Sequence, residues 1–460
     1  MPPSEEGVDR NTALREIFSE PGNLRERAEA DWNLDKLLAD LLTVKGQELT
    51  RAEKRDLLGL LCGFSPEEIA TGACTVLGSV SVNLSKYVYR YIEELTGREK
   101  KALKSWRDIT VWLEAAGYKN FESWDEAPVV PVFYGRREKL NQLKKMIIGD
   151  GSHASLSQSC RLIMLGGRTG MGKTAMAIKL ADQIQPSFHY RIWQPLRHKP
   201  PLESIIDRCL KLLSKSQEER LVSLSTKISS LIQCLRNRRC LIVLDELDAI
   251  FEAGQMAGQY REGYENYGEF FRRIGQEPHQ SCLVLTSRAS TTEIEVLQGD
   301  NRPIRVINLE GLEPEAARAI LREDRLLEEF SEADYWGQLI QLYQGNPQSL
   351  KLVSSRIKRM YMGEVSAFLK RGSTLIRSMT DLHERIFEAL SSLEQEILRA
   401  LAREGRTTVS FSELEGLLPT PLPNLDDALD SLIARSLIEQ SRAGYTLPPD
   451  FMEYVNTYKS

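Results

Sequence analysis

The sequence predicts an α/β core with a parallel sheet, flanked by helical segments on both sides in the chain. Three observations predict it. Five short, bounded apolar runs lie between about 161 and 308, with helical patterns between them, which is how strands buried on both faces of a parallel sheet read. Before that stretch, and again from 310, the apolar spacing is helical. A proline-rich joint, APVVPVFYGRREKL at 127–140, separates the first helical segment from the core.

Taken in order, residues 1–44 form a charged N-terminal helical segment with an apolar rhythm in NLDKLLADLL. Residues 45–126 hold LTRAEKRDLLGLL, SPEEIA and SVNLSKYVYRYIEEL, three helical pieces punctuated by Gly63 and Gly78. The core occupies 127–309, with strands in RLIMLGG, YRIWQ, CLIVLDE, CLVLTSR and IRVINL. A helical domain follows at 310–378 (PEAARAILRE, WGQLIQLY, QSLKLVSSRI). The last domain, 379–460, closes with LIARSLIEQSRAGYTL. That ending reads as helix, strand, turn, strand, a winged-helix pattern.

The bulk properties narrow the function classes. The 460 residues carry a net charge of −5 and are 42% hydrophobic, an ordinary globular composition that offers no broad coat for nucleic acid. No run approaches the roughly 18 apolar residues of a membrane helix, and the N-terminus lacks a signal-peptide core. Seven cysteines stand singly at 62, 74, 160, 209, 234, 240 and 282. Without paired spacing they read as small buried residues in a reducing compartment, so a cytoplasmic location is expected.

The strongest motif is Gly167-Arg168-Thr169-Gly170-Met171-Gly172-Lys173-Thr174, which satisfies GxxxxGK[ST] between an apolar strand and a helix. Glycines let backbone N–H groups curl around phosphate oxygens. Lys173 would meet the β- and γ-phosphates, Thr174 would bind Mg²⁺, and the following helix would aim its positive end at the anion. ATP or ADP with Mg²⁺ is therefore expected. Asp245, at the end of LIVLD in a strand expected to neighbour the phosphate-loop strand, would orient the magnesium through water, and Glu246 would polarise an attacking water. Asp248 has two readings, a further site acid or a charge at a helix N-terminus. Arg288, which ends CLVLTSR, is placed to report a γ-phosphate.

In order, FYGRREKL, GGRTGMGKT, LIVLDELD, CLVLTSR, LEGLEPEAARAIL and GNPQSLKLV resemble the motif series of the NB-ARC class of STAND NTPases, especially cyanobacterial forms that share AGQYREGYENYGEFFRRIGQEPHQSCLVLTSR. The resemblance spans about 40–460. It implies a nucleotide-binding P-loop domain at 127–309, a helical domain and a winged helix that close over ADP at rest. It also implies that Gly135 and Arg136 lie near the adenosine, that Pro347 packs on the adenine, and that Arg288 is the sensor. From the residues alone, GNP reads rather as a helix-start turn with Pro at the first position and Asn before it. Many relatives end the winged helix with Met-His-Asp, where this chain has Leu447-Pro448-Pro449. β-Propeller repeats usually follow in such relatives; here the sequence stops at Ser460, and the expected input is a partner chain.

The segment 49–96 resembles the helix-turn-helix of LuxR-type regulators. A DNA-binding reading turns Asn83, Ser85, Lys86 and Arg90 toward DNA. Against it, residues 45–104 hold ten Lys or Arg and eight Asp or Glu, a thin footprint for phosphate contacts. Protein contact is the other reading. The expected function is a signalling switch that opens and self-associates on exchange of ADP for ATP, with slow hydrolysis. The alternatives are a nucleotide-gated transcription regulator and a non-hydrolysing ADP-bound scaffold.

Overall fold

A computed structural model describes residues 10–459, except 20, 117, 120, 150–159, 214–222, 301, 324–332, 406–407 and 419–423. The chain separates into two compact units, Met1–Glu122 with Gln185–Arg191, and Ser123–Ile184 with Ile192–Ser460.

The first unit is helical. One apolar cluster runs from Leu24 to Tyr118, so the expected division at 44/45 does not separate two cores. Trp32 joins the parts, its Nε1 donating to the Leu61 carbonyl at 2.9 Å. Capping boxes at Thr50/Glu53 and Ser65/Glu68 start the helices Arg51–Leu61 and Pro66–Gly72 by satisfying orphan N–H groups reciprocally. The expected third helix is Leu77–Asn83, a π-helical stretch Leu84–Val88, and Tyr89–Leu95.

Five strands of the sheet carry the site: β1 Leu162–Gly166, β2 Tyr190–Pro195, β3 Cys240–Asp245, β4 Cys282–Thr286 and β5 Ile304–Asn308. Their spatial order is β2-β3-β4-β1-β5. The pairs β3–β4, β4–β1 and β1–β5 are parallel. Every residue of β1 to β4 is buried, whereas β5 is mostly half-exposed. Continuous apolar runs suit the inner strands because helices cover both faces.

That order corrects one expectation. The strand ending in Asp245 is not beside the phosphate-loop strand; β4 stands between them. A third strand end therefore lies at the centre of the site.

After the sheet come two further apolar clusters. The first gathers residues from Leu312 to Met379, mostly on the helices Pro314–Arg322, Ala333–Leu342, Pro347–Tyr361 and Val365–Lys370, with Met379 on Arg377–Glu388. The second gathers residues from Ile386 to Val455. In that last region the helix Leu425–Ala434 leads into an antiparallel pair, β6 Glu439–Ser441 and β7 Gly444–Thr446, and the closing helix Pro449–Tyr458.

Candidate nucleotide site

β1 ends at Gly166 and the helix Lys173–Ile184 begins seven residues later. The loop between them has left-handed backbone at Gly167 (φ 123°) and Gly170 (φ 84°). A β-carbon at Gly167 would come within 2.6 Å of the Leu309 carbonyl, and one at Gly170 within 2.6 Å of Asn346 Oδ1. These two positions need glycine for conformation and for space. Lys173 Nζ donates to the Gly167 and Arg168 carbonyls at 2.7 and 3.0 Å. Burial pulls its pKa down to about 8, because a low-dielectric site penalises the ammonium. A phosphate there would restore the charged form.

Three strand ends converge on Asp245. Its Oδ1 accepts from Thr174 at 2.8 Å and from Thr286 at 2.6 Å. The Thr286 hydroxyl in turn accepts from the Glu246 N–H at 2.9 Å. Burial raises the Asp245 pKa, opposed by the two hydroxyls and Lys173. Thr174 and Asp245 fit Mg²⁺, which takes one or two carboxylates and otherwise prefers water and phosphate oxygens. Among the described residues, no group of three or more His, Cys, Asp or Glu is placed to hold a metal, so nucleotide phosphates would complete such a shell.

Glu246 sits beyond the buried strand in the left-handed region at φ 62°, ψ 52°, an uncommon conformation for a non-glycine residue. It is exposed. Partial desolvation and the charge of Asp245 raise its pKa, the direction a general base needs. Asp248 has a definite partner. Its Oδ1 accepts from the Arg288 N–H at 2.8 Å and the Ser287 hydroxyl at 3.1 Å, and lies 3.4 Å from Arg288 Nε. The acid thus holds the end of β4, beyond the helix-terminus role weighed from the sequence.

The regions after the sheet also reach this loop. Asn346 caps the helix Pro347–Tyr361 through Gln348 N (3.0 Å) and Ser349 N (3.2 Å). Its side-chain amide also donates to the Thr169 carbonyl at 3.0 Å. GNP is therefore a helix start, with Pro347 at the first turn, and a phosphate-loop contact at once. Arg168 donates to Gln344 Oε1 and, at 3.3 Å, to Asp450 Oδ1. Asp450 lies 3.3 Å from His383 Nε2. Burial alone would raise the Asp450 pKa, yet His383 and Arg168 hold it below its ordinary value. His383 and Arg288 line one cavity together with Arg168, Thr169 and Asp450.

Arg136 points its guanidinium at the phosphate loop, donating to the Met171 carbonyl at 2.5 Å and the Glu310 carbonyl at 2.7 Å; burial lowers its pKa to about 10. It buttresses the loop. Gly135 precedes it with φ 64°, and a β-carbon there would meet Ala316 at 2.6 Å. Leu447-Pro448-Pro449 leads into the closing helix, and the acid directed at the phosphate loop is the next residue, Asp450. In the helical unit, Asn83 is half-buried and its amide donates to Asp56 at 2.5 Å. Ser85, Lys86 and Arg90 are exposed.

Sequence reasoning held Thr286 only as part of CLVLTSR, without its part in bridging Asp245 and Glu246. Asn346 was inside a motif already noticed. Gln344, His383 and Asp450 gave no signal, because each acts through a partner far away in the chain.

Comparison with known proteins agrees with this geometry. Residues 161–325 match the NACHT domain family. They form a P-loop NTPase domain. A Walker-type ATPase of Pyrococcus abyssi superposes with a TM-score of 0.51 at 15% identity, over 70% of this chain and 96% of that one; this likeness concerns the fold alone. The ORC2 protein of Aeropyrum pernix gives a TM-score of 0.45 at 16% identity over 72% of this chain and 96% of its own. An uncharacterized WD repeat-containing protein of Nostoc sp. is 38% identical over 349 residues, 73% of this chain. The chain spans 27% of the length of that relative. The NACHT match and the Nostoc relative support a STAND-type NTPase. No helix among the described residues is long and apolar enough to cross a membrane.

Proposed function

We propose that the protein is a nucleotide-operated signalling switch of the STAND type, at rest with ADP and opened when ATP replaces it. The observation that carries this reading is that three separate parts of the chain bear on one phosphate loop. The loop's own Arg168 is held by Gln344 and Asp450, Thr169 is held by Asn346, and Met171 is held by Arg136. An enzyme built only for turnover has no need to lock its phosphate loop to distant segments. A switch does, since a ligand shifts an equilibrium only by contacting one state better than the other.

In this reading Lys173 and the loop amides bind the β- and γ-phosphates. Thr174 and Asp245 hold Mg²⁺, which when bound neutralises charge on the transferred phosphate. Glu246 accepts a proton from the attacking water, and Arg288 leaves Asp248 to meet the γ-phosphate. The region after 379 acts as a winged helix and the first unit as a helix-turn-helix-like output module. The NB-ARC motif series and the NACHT match point to the same class. Self-association after opening, a protein partner for input and a cytoplasmic location complete the proposal. Hydrolysis resets the switch and is slow.

The test is to denature freshly purified protein and identify the released nucleotide, beside the Lys173→Ala variant. ADP from the wild type and none from the variant supports the closed switch. No nucleotide from either, together with no ATP binding in solution, removes it. Glu246→Gln separates the scaffold alternative: lost turnover with intact ATP binding assigns the base, whereas unchanged turnover denies it that role.

A further inference from the structure

The hairpin 251–260, which runs into AGQYREGYENY, has no assigned part in phosphate binding, yet the structure ties it at both ends. Its base belongs to the hydrolytic acids. After Glu246 comes a 3₁₀ turn, Leu247–Ile250, which includes Asp248. The chain then folds back on itself. Phe251 and Tyr260 form an antiparallel bridge, with their rings 5.9 Å apart. Glu252 N donates to the Gln259 carbonyl at 2.9 Å, and Arg261 N to the Ile250 carbonyl at 3.0 Å. Near the base, a β-carbon on Gly258 would lie 2.3 Å from the Ser290 carbonyl. The hairpin thus packs tightly on the segment two residues past Arg288.

Its tip is held by the C-terminal region through main-chain groups. Gly254 N donates to the Ala389 carbonyl at 3.0 Å. Ala257 N donates to Ser431 Oγ at 2.6 Å, and Arg435 Nη2 donates to the Gln255 carbonyl at 2.7 Å. Met256 packs against the C-terminal core. Behind the grip lies Glu394, fully buried. Its Oε1 accepts from Ser431 Oγ at 2.7 Å and Arg435 Nε at 3.0 Å. Its Oε2 accepts from Ser391 N and Oγ, both at 2.8 Å. Four donors fix this carboxylate, and it fixes both side chains that hold the tip.

We propose that the hairpin 251–260 is a lever joining the hydrolytic acids to the C-terminal region, with Arg435 as the positioning residue at its tip. This rests on the nucleotide-switch reading. While the tip is held, the turn bearing Asp248 stays on Ser287 and Arg288, and Arg288 stays on Asp248. Release lets the acid segment and Arg288 move toward a γ-phosphate. The phosphate-loop contacts are untouched by this path, so ADP binding is retained, while turnover and the part of ATP binding that depends on the γ-phosphate rise. Coupling energies between sites typically change a constant by about 5- to 150-fold. We therefore expect kcat to rise by at least about fivefold on release, with ADP binding unchanged.

The experiment compares Arg435→Lys, Arg435→Ala and Ser431→Ala in the full chain. Arginine spans Glu394 and Gln255 with two different nitrogens, whereas an ammonium is a single point charge. Arg435→Lys therefore keeps a charge beside Glu394 but loses the grip on Gln255. The lever predicts raised kcat in all three variants, Arg435→Lys included, at a melting temperature near wild type for the lysine variant. Wild-type or reduced kcat in a folded Arg435→Lys and Ser431→Ala overturns it. Binding of a fluorescent ADP analogue is measured beside them, with Lys173→Ala as control. If the wild type does not bind, the switch reading fails; if it binds and turns over while the variants match it, only the lever fails.

Discussion

Two arginine–carboxylate pairs involve the C-terminal region, and they differ in what competes for them. Arg168 belongs to the phosphate loop and reaches across to Asp450 at 3.3 Å, sharing its guanidinium with Gln344. Arg435 pairs with Glu394 at 3.0 Å inside the C-terminal region itself, on a carboxylate already holding three other donors. A bound phosphate is a natural rival to Asp450 for Arg168, since both offer acceptor oxygens to the same guanidinium. Nothing in the nucleotide rivals Glu394. The first pair can read the ligand; the second can only transmit a movement.

The largest expected effect tests the second pair. Glu394→Ala leaves Arg435 buried without its counter-charge and removes the partner of Ser431, which costs about 3–5 kcal/mol of stability. Chemical denaturation reads this directly, and a loss below about 1 kcal/mol would show that the carboxylate is not the centre of the grip. Next, Asp450→Ala should cost less, about 1–3 kcal/mol, because Arg168 keeps Gln344 and is partly wet. It should also raise the affinity for free phosphate-bearing ligands, with a scale of about tenfold per 1.4 kcal/mol of competition removed. Calorimetric titration with ADP would show it, and unchanged affinity would break the contrast between the pairs.

The smallest effect is one of pH. The Asp450 pKa is depressed in the folded protein by His383 and Arg168. Its unfolded value is near 3.9. A depressed acid contributes stability that is present above the unfolded pKa and lost as pH falls through the folded one. Melting temperature should therefore drop below about pH 4, and Asp450→Asn should flatten that part of the curve while lowering its plateau. An identical acid limb in wild type and variant would remove Asp450 from the account.

The sheet was legible because each of its strands has a local cause. RLIMLGG, CLIVLDE and CLVLTSR are continuous apolar runs that only a doubly covered strand can bury. GxxxxGK[ST] was legible for a similar reason, since positive φ at Gly167 and Gly170 is demanded by the loop itself. Strand order was not. Runs of the same kind give no sign that β4 lies between β1 and β3, and with that order came the bridging role of Thr286.

The sequence by itself determined the phosphate loop, its lysine and threonine, the carboxylates after β3 and the helical character of both flanks. Those follow from periodicity and from the short-range geometry of a few residues. Tertiary structure alone decided what the loop is held by: Arg136 on Met171, Asn346 on Thr169, Asp450 on Arg168, and Arg435 on the tip of the acid hairpin. The physical reason is range. A buried arginine or acid is stable only beside a partner, and in these contacts the partner lies between 35 and 282 positions away, where no local pattern in the chain can announce it.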